Sequence, residues 1–120
     1  MRKALVVEDD ADIVELVSLY LAKDGWDVES VADGKRALEK ARRGSYQLII
    51  LDIQLPGRDG YELLEELKGL PERSWKVVAL TAHALPEDRT RASAAGFDGY
   101  ITKPIDVRTF PAEVARYLGG

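Results

Sequence analysis

Leu48-Ile49-Ile50-Leu51-Asp52-Ile53-Gln54-Leu55-Pro56-Gly57 is the stretch on which the fold turns. Four bulky apolar residues in succession read as a strand buried on both faces. The Pro56-Gly57 pair just beyond signals a sharp change of chain direction. A carboxylate placed where such a strand stops sits at the mouth of an α/β fold, where open parallel sheets put their ligands. Ala4-Leu5-Val6-Val7 is a second apolar run, and it ends on Glu8 and Asp9. Two strand-end acid sites far apart in sequence point to one shared site.

Outward from these runs the same alternation continues. Further strands are expected at Val28–Val31, Val77–Leu80 and Gly99–Ile101. Ile13, Leu16, Val17, Tyr20 and Leu21 follow the spacing of a one-faced helix, with Gly25 as its stop. Leu38 and Ala41 mark a shorter helix ending near Gly44, and Tyr61, Leu64, Leu67 and Leu70 mark a third. Pro86 suits the first turn of a fourth, which runs to Ala95 before Gly96. Val107, Phe110, Val114 and Tyr117 make the last, closed by Gly119-Gly120. Five strands, each followed by a helix, imply a parallel sheet with right-handed crossovers and helices on both faces. The expectation is therefore a doubly wound α/β domain, (βα)5, filling residues 1–120 with no repeat, low-complexity tract or linker. Its longest irregular piece runs from Asp52 to Gly60. The fourth helix, with Arg89-Thr90-Arg91-Ala92-Ser93-Ala94-Ala95, has almost no large apolar anchor. Helices are held mainly by a packed face, so this one is expected to be the least firmly docked.

Composition bounds the rest. A chain of 120 residues suits one domain with a real core, and 46% hydrophobic with 32% charged residues is ordinary for a globular protein. A net charge of −4 argues against nucleic acid or an anionic membrane as partner of the domain as a whole. No apolar stretch approaches the roughly 18 residues of a membrane span. Met1-Arg2-Lys3-Ala4 leads straight into a strand without a signal-peptide pattern. The absence of cysteine excludes disulfides, thiolate catalysis and cysteine metal sites. A cytoplasmic location is the simplest expectation.

In a parallel sheet all carboxyl ends lie on one edge. Glu8 and Asp9 follow the first strand, Asp52 the third, Thr81 the fourth and Lys103 the fifth, so these side chains can converge. Two unit charges at ~4 Å repel by roughly 4 kcal/mol at an effective dielectric near 20. A cluster of three carboxylates therefore shifts its pKa values upward or holds a cation. Hard oxygen ligands with some solvent access suit Mg²⁺, which often bridges to a phosphate. A carboxylate nucleophile, a divalent ion, a lysine and a hydroxyl together make a phosphoryl-accepting site.

Four blocks carry a resemblance: Val6-Val7-Glu8-Asp9-Asp10; Asp52-Ile53-Gln54-Leu55-Pro56 with Asp59-Gly60; Val78-Ala79-Leu80-Thr81-Ala82; and Gly99-Tyr100-Ile101-Thr102-Lys103-Pro104. Over nearly its full length the chain resembles response-regulator receiver domains, the CheY-like family. The resemblance implies a five-stranded sheet in the order 2-1-3-4-5. It implies that Asp52 accepts a phosphoryl group from a histidine kinase or phosphotransfer protein, as part of a signalling switch rather than an enzyme. Glu8, Asp9, Asp52 and the backbone carbonyl of Gln54 would hold Mg²⁺ (or Mn²⁺). Lys103 would contact the phosphoryl oxygens, and Thr81 would move to hydrogen-bond one of them. Tyr100 matches the aromatic switch that turns inward as the threonine moves, and the bond to Pro104 is expected to be cis. Gln54 and His83 flank the phosphoryl position, and Gln54 either shields it from water or orients the attacking water; together they are expected to set the phosphate's lifetime. An effector protein would read the state on the face of the fourth helix, fifth strand and fifth helix, with the domain a monomer or weak dimer. The run Asp52–Pro56 and the segment Gly96–Thr109 also resemble single-domain regulators of the DivK type.

Each residue has a plainer reading as well. Glu8, Asp9 and Asp10 can cap the first helix, and Asp10 or Asp12 is assigned that work. Thr81 alone suits a strand, Lys103 alone a solvated surface, Tyr100 alone core packing and His83 alone an exposed loop. A phosphatase of the aspartyl-nucleophile class would carry a general acid two residues after Asp52, where Gln54 cannot serve. A flavodoxin-like flavin binder would need a hydroxyl- and glycine-rich phosphate loop in place of Glu8-Asp9-Asp10. A receiver from a larger hybrid kinase is the nearer alternative. The start at Met1 and the end soon after the last helix favour a free-standing regulator.

Overall fold

The apolar runs form the sheet. In the computed structural model, which describes residues 2–71 and 74–119, β1 (Lys3–Val7), β2 (Asp27–Val31), β3 (Leu48–Asp52), β6 (Lys76–Thr81) and β7 (Gly99–Thr102) pair in parallel. Their order is β2-β1-β3-β6-β7, which is 2-1-3-4-5 when only the five long strands are counted. All five residues of β3 are buried: the apolar run Leu48–Leu51, as a central strand covered on both sides requires, and Asp52 at its end. Edge strand β2 is different: Val31 is its only buried residue.

Helices α1 (Ala11–Lys23), α2 (Gly34–Arg43), α3 (Gly60–Lys68), α4 (Pro86–Ala95) and α5 (Phe110–Tyr117) divide between the two faces. Leu5, Val7, Ile49, Leu51, Val77 and Ala79 face α2, α3 and α4. The alternate positions Ala4, Val6, Leu48, Ile50, Val78 and Leu80 face α1 and α5. Each full burial of a Leu, Ile or Val contributes roughly 1.5–3 kcal/mol, so these two layers hold the carboxyl ends of β1, β3 and β6 in fixed register.

Three expectations need correction. The segment from Asp52 to Gly60 is not irregular throughout: β4 (Gln54–Leu55) and β5 (Arg58–Asp59) form a two-stranded antiparallel hairpin across Pro56-Gly57, with Gly57 at φ 72°. The last helix starts at Phe110, not Val107. Asp106 closes a turn first, its carbonyl accepting the Thr109 and Phe110 N–H groups, and Pro111 then fits the helix's first turn. Leu70 likewise lies beyond α3, which Gly69 caps. Gly120, expected to close the chain's last helix, lies outside the described residues.

α4 has the sparse packing expected of it, with Ala92 its only buried residue and Leu85 just ahead of it 59% exposed. Arginine supplies contacts that the sequence reading did not foresee. The Arg89 guanidinium lies 5.0 Å from the Tyr100 ring and that of Arg91 lies 4.1 Å from the Tyr61 ring.

Candidate phosphoryl-acceptor site

The ladder carries the acids and the lysine to one edge. Asp52 pairs with Leu80 at the end of β3, and Thr81 pairs with Thr102 at the end of β6. Beyond the strands, the Glu8 N–H donates to the Val31 carbonyl (3.1 Å) and the Lys103 N–H to the Thr81 carbonyl (2.8 Å). The peptide bond from Lys103 to Pro104 is cis.

Three carboxylates meet there. Glu8, Asp9 and Asp52 each offer an oxygen within 4.8 Å of the others. Glu8 and Asp52 are buried, whereas Asp9 is exposed. Asp10 takes no part: it caps α1, its carboxylate accepting from the Asp12 and Ile13 N–H groups at 3.0 and 3.4 Å. Lys103 Nζ donates to Glu8 Oε1 (3.0 Å) and to Asp52 Oδ2 (3.2 Å). Burial, and then the contact with Asp52, push the Glu8 carboxyl up to about 7, with Lys103 pulling it back only in part. Burial works against the Lys103 ammonium, but the hydrogen bonds and charges of Glu8 and Asp52 outweigh it and hold its pKa above the ordinary lysine value. One lysine thus faces three acids, a donor set of hard oxygens short of positive charge. That chemistry fits a divalent cation.

The remaining site residues gather around His83. Its N–H donates to Thr81 Oγ1 (3.1 Å) and its carbonyl accepts from the Tyr100 hydroxyl. Its ring touches the side-chain amide of Gln54. Tyr100 is buried, with its ring turned inward. The Gln54 N–H donates to Asp52 Oδ1 (2.9 Å), so both Asp52 oxygens are engaged. A cleft of about 340 Å³ opens beside these groups, lined in part by Gln54, Tyr61, Thr81, His83, Arg91 and Tyr100. Sequence spacing brought Glu8, Asp9, Asp52, Thr81 and Lys103 to one edge. It gave no sign that the His83 peptide would link Thr81 to Tyr100, because that link depends on how the loop after β6 folds back.

A parallel sheet in this order, with acids and a lysine at the carboxyl ends of its central strands, defines a CheY-like α/β domain. The response regulator receiver domain family matches residues 4–115, and the chain belongs to it. It is 39% identical over 116 residues to the regulatory protein VanRB of Enterococcus faecalis, a match covering 97% of this chain and 52% of that protein. The chain spans about half the length of several such curated relatives. Among solved structures it is similar to a CheY-like receiver domain protein from Methanospirillum hungatei JF-1, with 30% identity, TM-score 0.87 and coverage of 99% and 94% of the two chains. It is also similar to the receiver domain of sensor histidine kinase PA1611 from Pseudomonas aeruginosa PAO1, with 32% identity, TM-score 0.85 and coverage of 99% and 98%. That domain's structure has a magnesium ion coordinated in its active site cleft.

Proposed function

We propose that this receiver is a phosphorylation switch of a two-component pathway, in which Asp52 takes a phosphoryl group from the phosphohistidine of a kinase or phosphotransfer protein. The observation that carries this reading is the convergence on Asp52 of Lys103 at 3.2 Å and of two further carboxylates within 4.8 Å. The phosphorus–nitrogen bond breaks as an Asp52 carboxylate oxygen bonds to phosphorus, and the histidine leaves with its electron pair. Glu8, Asp9, Asp52 and the Gln54 carbonyl would hold Mg²⁺. When bound, the ion offsets the negative charge that accumulates as the phosphoryl group arrives. Lys103 moves from Glu8 towards the phosphoryl oxygens, and the Thr81 hydroxyl, now accepting from His83, turns to donate to one of them. Because His83 is also bonded to Tyr100, that turn changes the loop holding Tyr100 inward. The phosphoryl group thereby shifts a population between two arrangements, and an effector protein reads it on the surface of α4, β7 and α5. No described helix is long and apolar enough to cross a membrane, and we place the domain in the cytoplasm.

The likeness to the PA1611 receiver favours a second context, a receiver belonging to a hybrid kinase, with the same chemistry at Asp52. The test common to both is intact mass after incubation with Mg²⁺ and acetyl phosphate. The wild type is expected to gain one phosphoryl group and Asp52→Ala none. No adduct on the wild type, or an equal one on the variant, overturns the reading.

A further inference from the structure

The hairpin that carries Gln54 is too short to hold itself. It has two residues per strand, Gln54 opposite Asp59 and Leu55 opposite Arg58, and even longer isolated hairpins are marginal in water. Its base is fixed: the Gly60 N–H donates to the Ile53 carbonyl at 2.9 Å, and a Cβ on Gly60 would lie 2.5 Å from Ile53 Cα. Leu55 is buried on the first strand. On the second strand the outward hold is Arg58.

Arg58 reaches two helices at once. Its guanidinium pairs with Glu66 on α3. Its stem crosses Gly34, the first residue of α2, so closely that a Cβ there would sit 2.5 Å from Arg58 Cδ and 2.9 Å from Nε. Among the described residues Arg58 Nε is buried without a hydrogen-bond partner. Glu66 is 45% exposed, so the ion pair alone contributes little. The other hold is the stem itself, laid over Gly34 where no room is left for a side chain. It also accounts for glycine, a poor helix former, at a helical position.

We propose that Arg58 is a positioning residue for the site: by tying β5 to α2 and α3, it fixes where the Gln54 peptide sits on the adjoining strand. The inference rests on the reading of the Gln54 carbonyl as a metal ligand. Groups that orient metal ligands from outside typically change affinity by roughly 10–100-fold. Arg58 acts through one ladder step, so the lower end applies.

The test is Mn²⁺ affinity of the full chain by calorimetry, with amide exchange at Gly60 measured in metal-free protein. Arg58→Ala is expected to weaken Mn²⁺ about tenfold and to speed Gly60 exchange. Arg58→Lys, which keeps stem and charge, restores most of both, and Glu66→Gln changes little. Gly34→Ala is the decisive variant: it improves helix propensity, yet by displacing the Arg58 stem it should weaken Mn²⁺ and speed Gly60 exchange. Wild-type affinity and wild-type Gly60 exchange in Arg58→Ala and Gly34→Ala overturn the inference. If wild type binds no Mn²⁺, the metal reading fails instead, and Gly60 exchange alone decides whether Arg58 holds the hairpin. Should Arg58→Ala fail to fold, Gly34→Ala and Arg58→Lys decide in the same way.

Discussion

The two oxygens of Asp52 are engaged differently, Oδ1 by the Gln54 N–H and Oδ2 by Lys103. Gln54 is thus tied to the acceptor through its backbone and to His83 through its side chain. Of the two roles open to Gln54, its contact with the His83 ring favours shielding, and we propose that the pair covers the acyl phosphate from water. Gln54→Ala and His83→Ala should each speed phosphate loss several-fold. The double variant should decay little faster than either single one, because groups in contact do not contribute independently. Decay followed by phosphate-affinity gel would decide this, and unchanged rates in both single variants would refute it. Glu29 gives a second residue-scale prediction. Hydrogen bonds from Lys3, Tyr46 and Lys40 hold its carboxyl down at about 2, against an ordinary 4.5. A depressed acid contributes stability that is complete above its unfolded pKa and is lost as pH falls towards the folded one. With the Glu29 side chain 28% exposed, solvent screening reduces the effect to about 1 kcal/mol. Urea midpoints at pH 6 and pH 3 should therefore show wild type losing about that much more than Glu29→Gln.

At the scale of elements, α4 stands apart. Buried Ala92, half-buried Ala95, two cation–π contacts and the Lys68 Nζ bond to the Ala95 carbonyl (3.1 Å) hold it, whereas α1 buries Val17 and Leu21 and is capped by Asp10. Amides of α4 should exchange at least tenfold faster than those of α1, in keeping with its few buried contacts. Equal protection would disprove loose docking. Arg89→Ala and Arg91→Ala should each weaken α4 further by about 0.5–1 kcal/mol, seen as faster exchange confined to that helix. The weakness of α4 was legible in the sequence, since a run of Ala, Ser and Thr offers no apolar stripe. Its arginine contacts were not legible, because nothing local pairs Arg89 with Tyr100 or Arg91 with Tyr61. The β4–β5 hairpin escaped for a related reason: two-residue strands are too short to show a period. Val107 misled because an apolar residue at helical spacing can sit in a turn, and the turn closed by the Asp106 carbonyl settles the boundary. The strand-end acids were legible because a parallel strand buried on both sides is a continuous apolar run, and its end marks the sheet's edge.

Across the whole molecule, β3 is the member on which both layers depend. Ile49 is fully buried in the layer shared with α2, α3 and α4. Ile49→Ala should cost about 2–5 kcal/mol, out of a total of roughly 5–15 for a domain of this kind. The urea midpoint should fall with the slope of the transition unchanged. On one side of β3 and β1, the edge strand β2 is stapled through Glu29 to Lys3 on β1, Lys40 on α2 and Tyr46. On the other side, β6 and β7 carry Thr81 and Tyr100 beneath the lightly anchored α4. A displacement begun at the centre of the sheet therefore meets a clamped flank in one direction and a compliant one in the other. If Asp52 takes a phosphoryl group as proposed, this unequal stiffness works as a lever pinned at one end and should direct the motion towards β7 and α4.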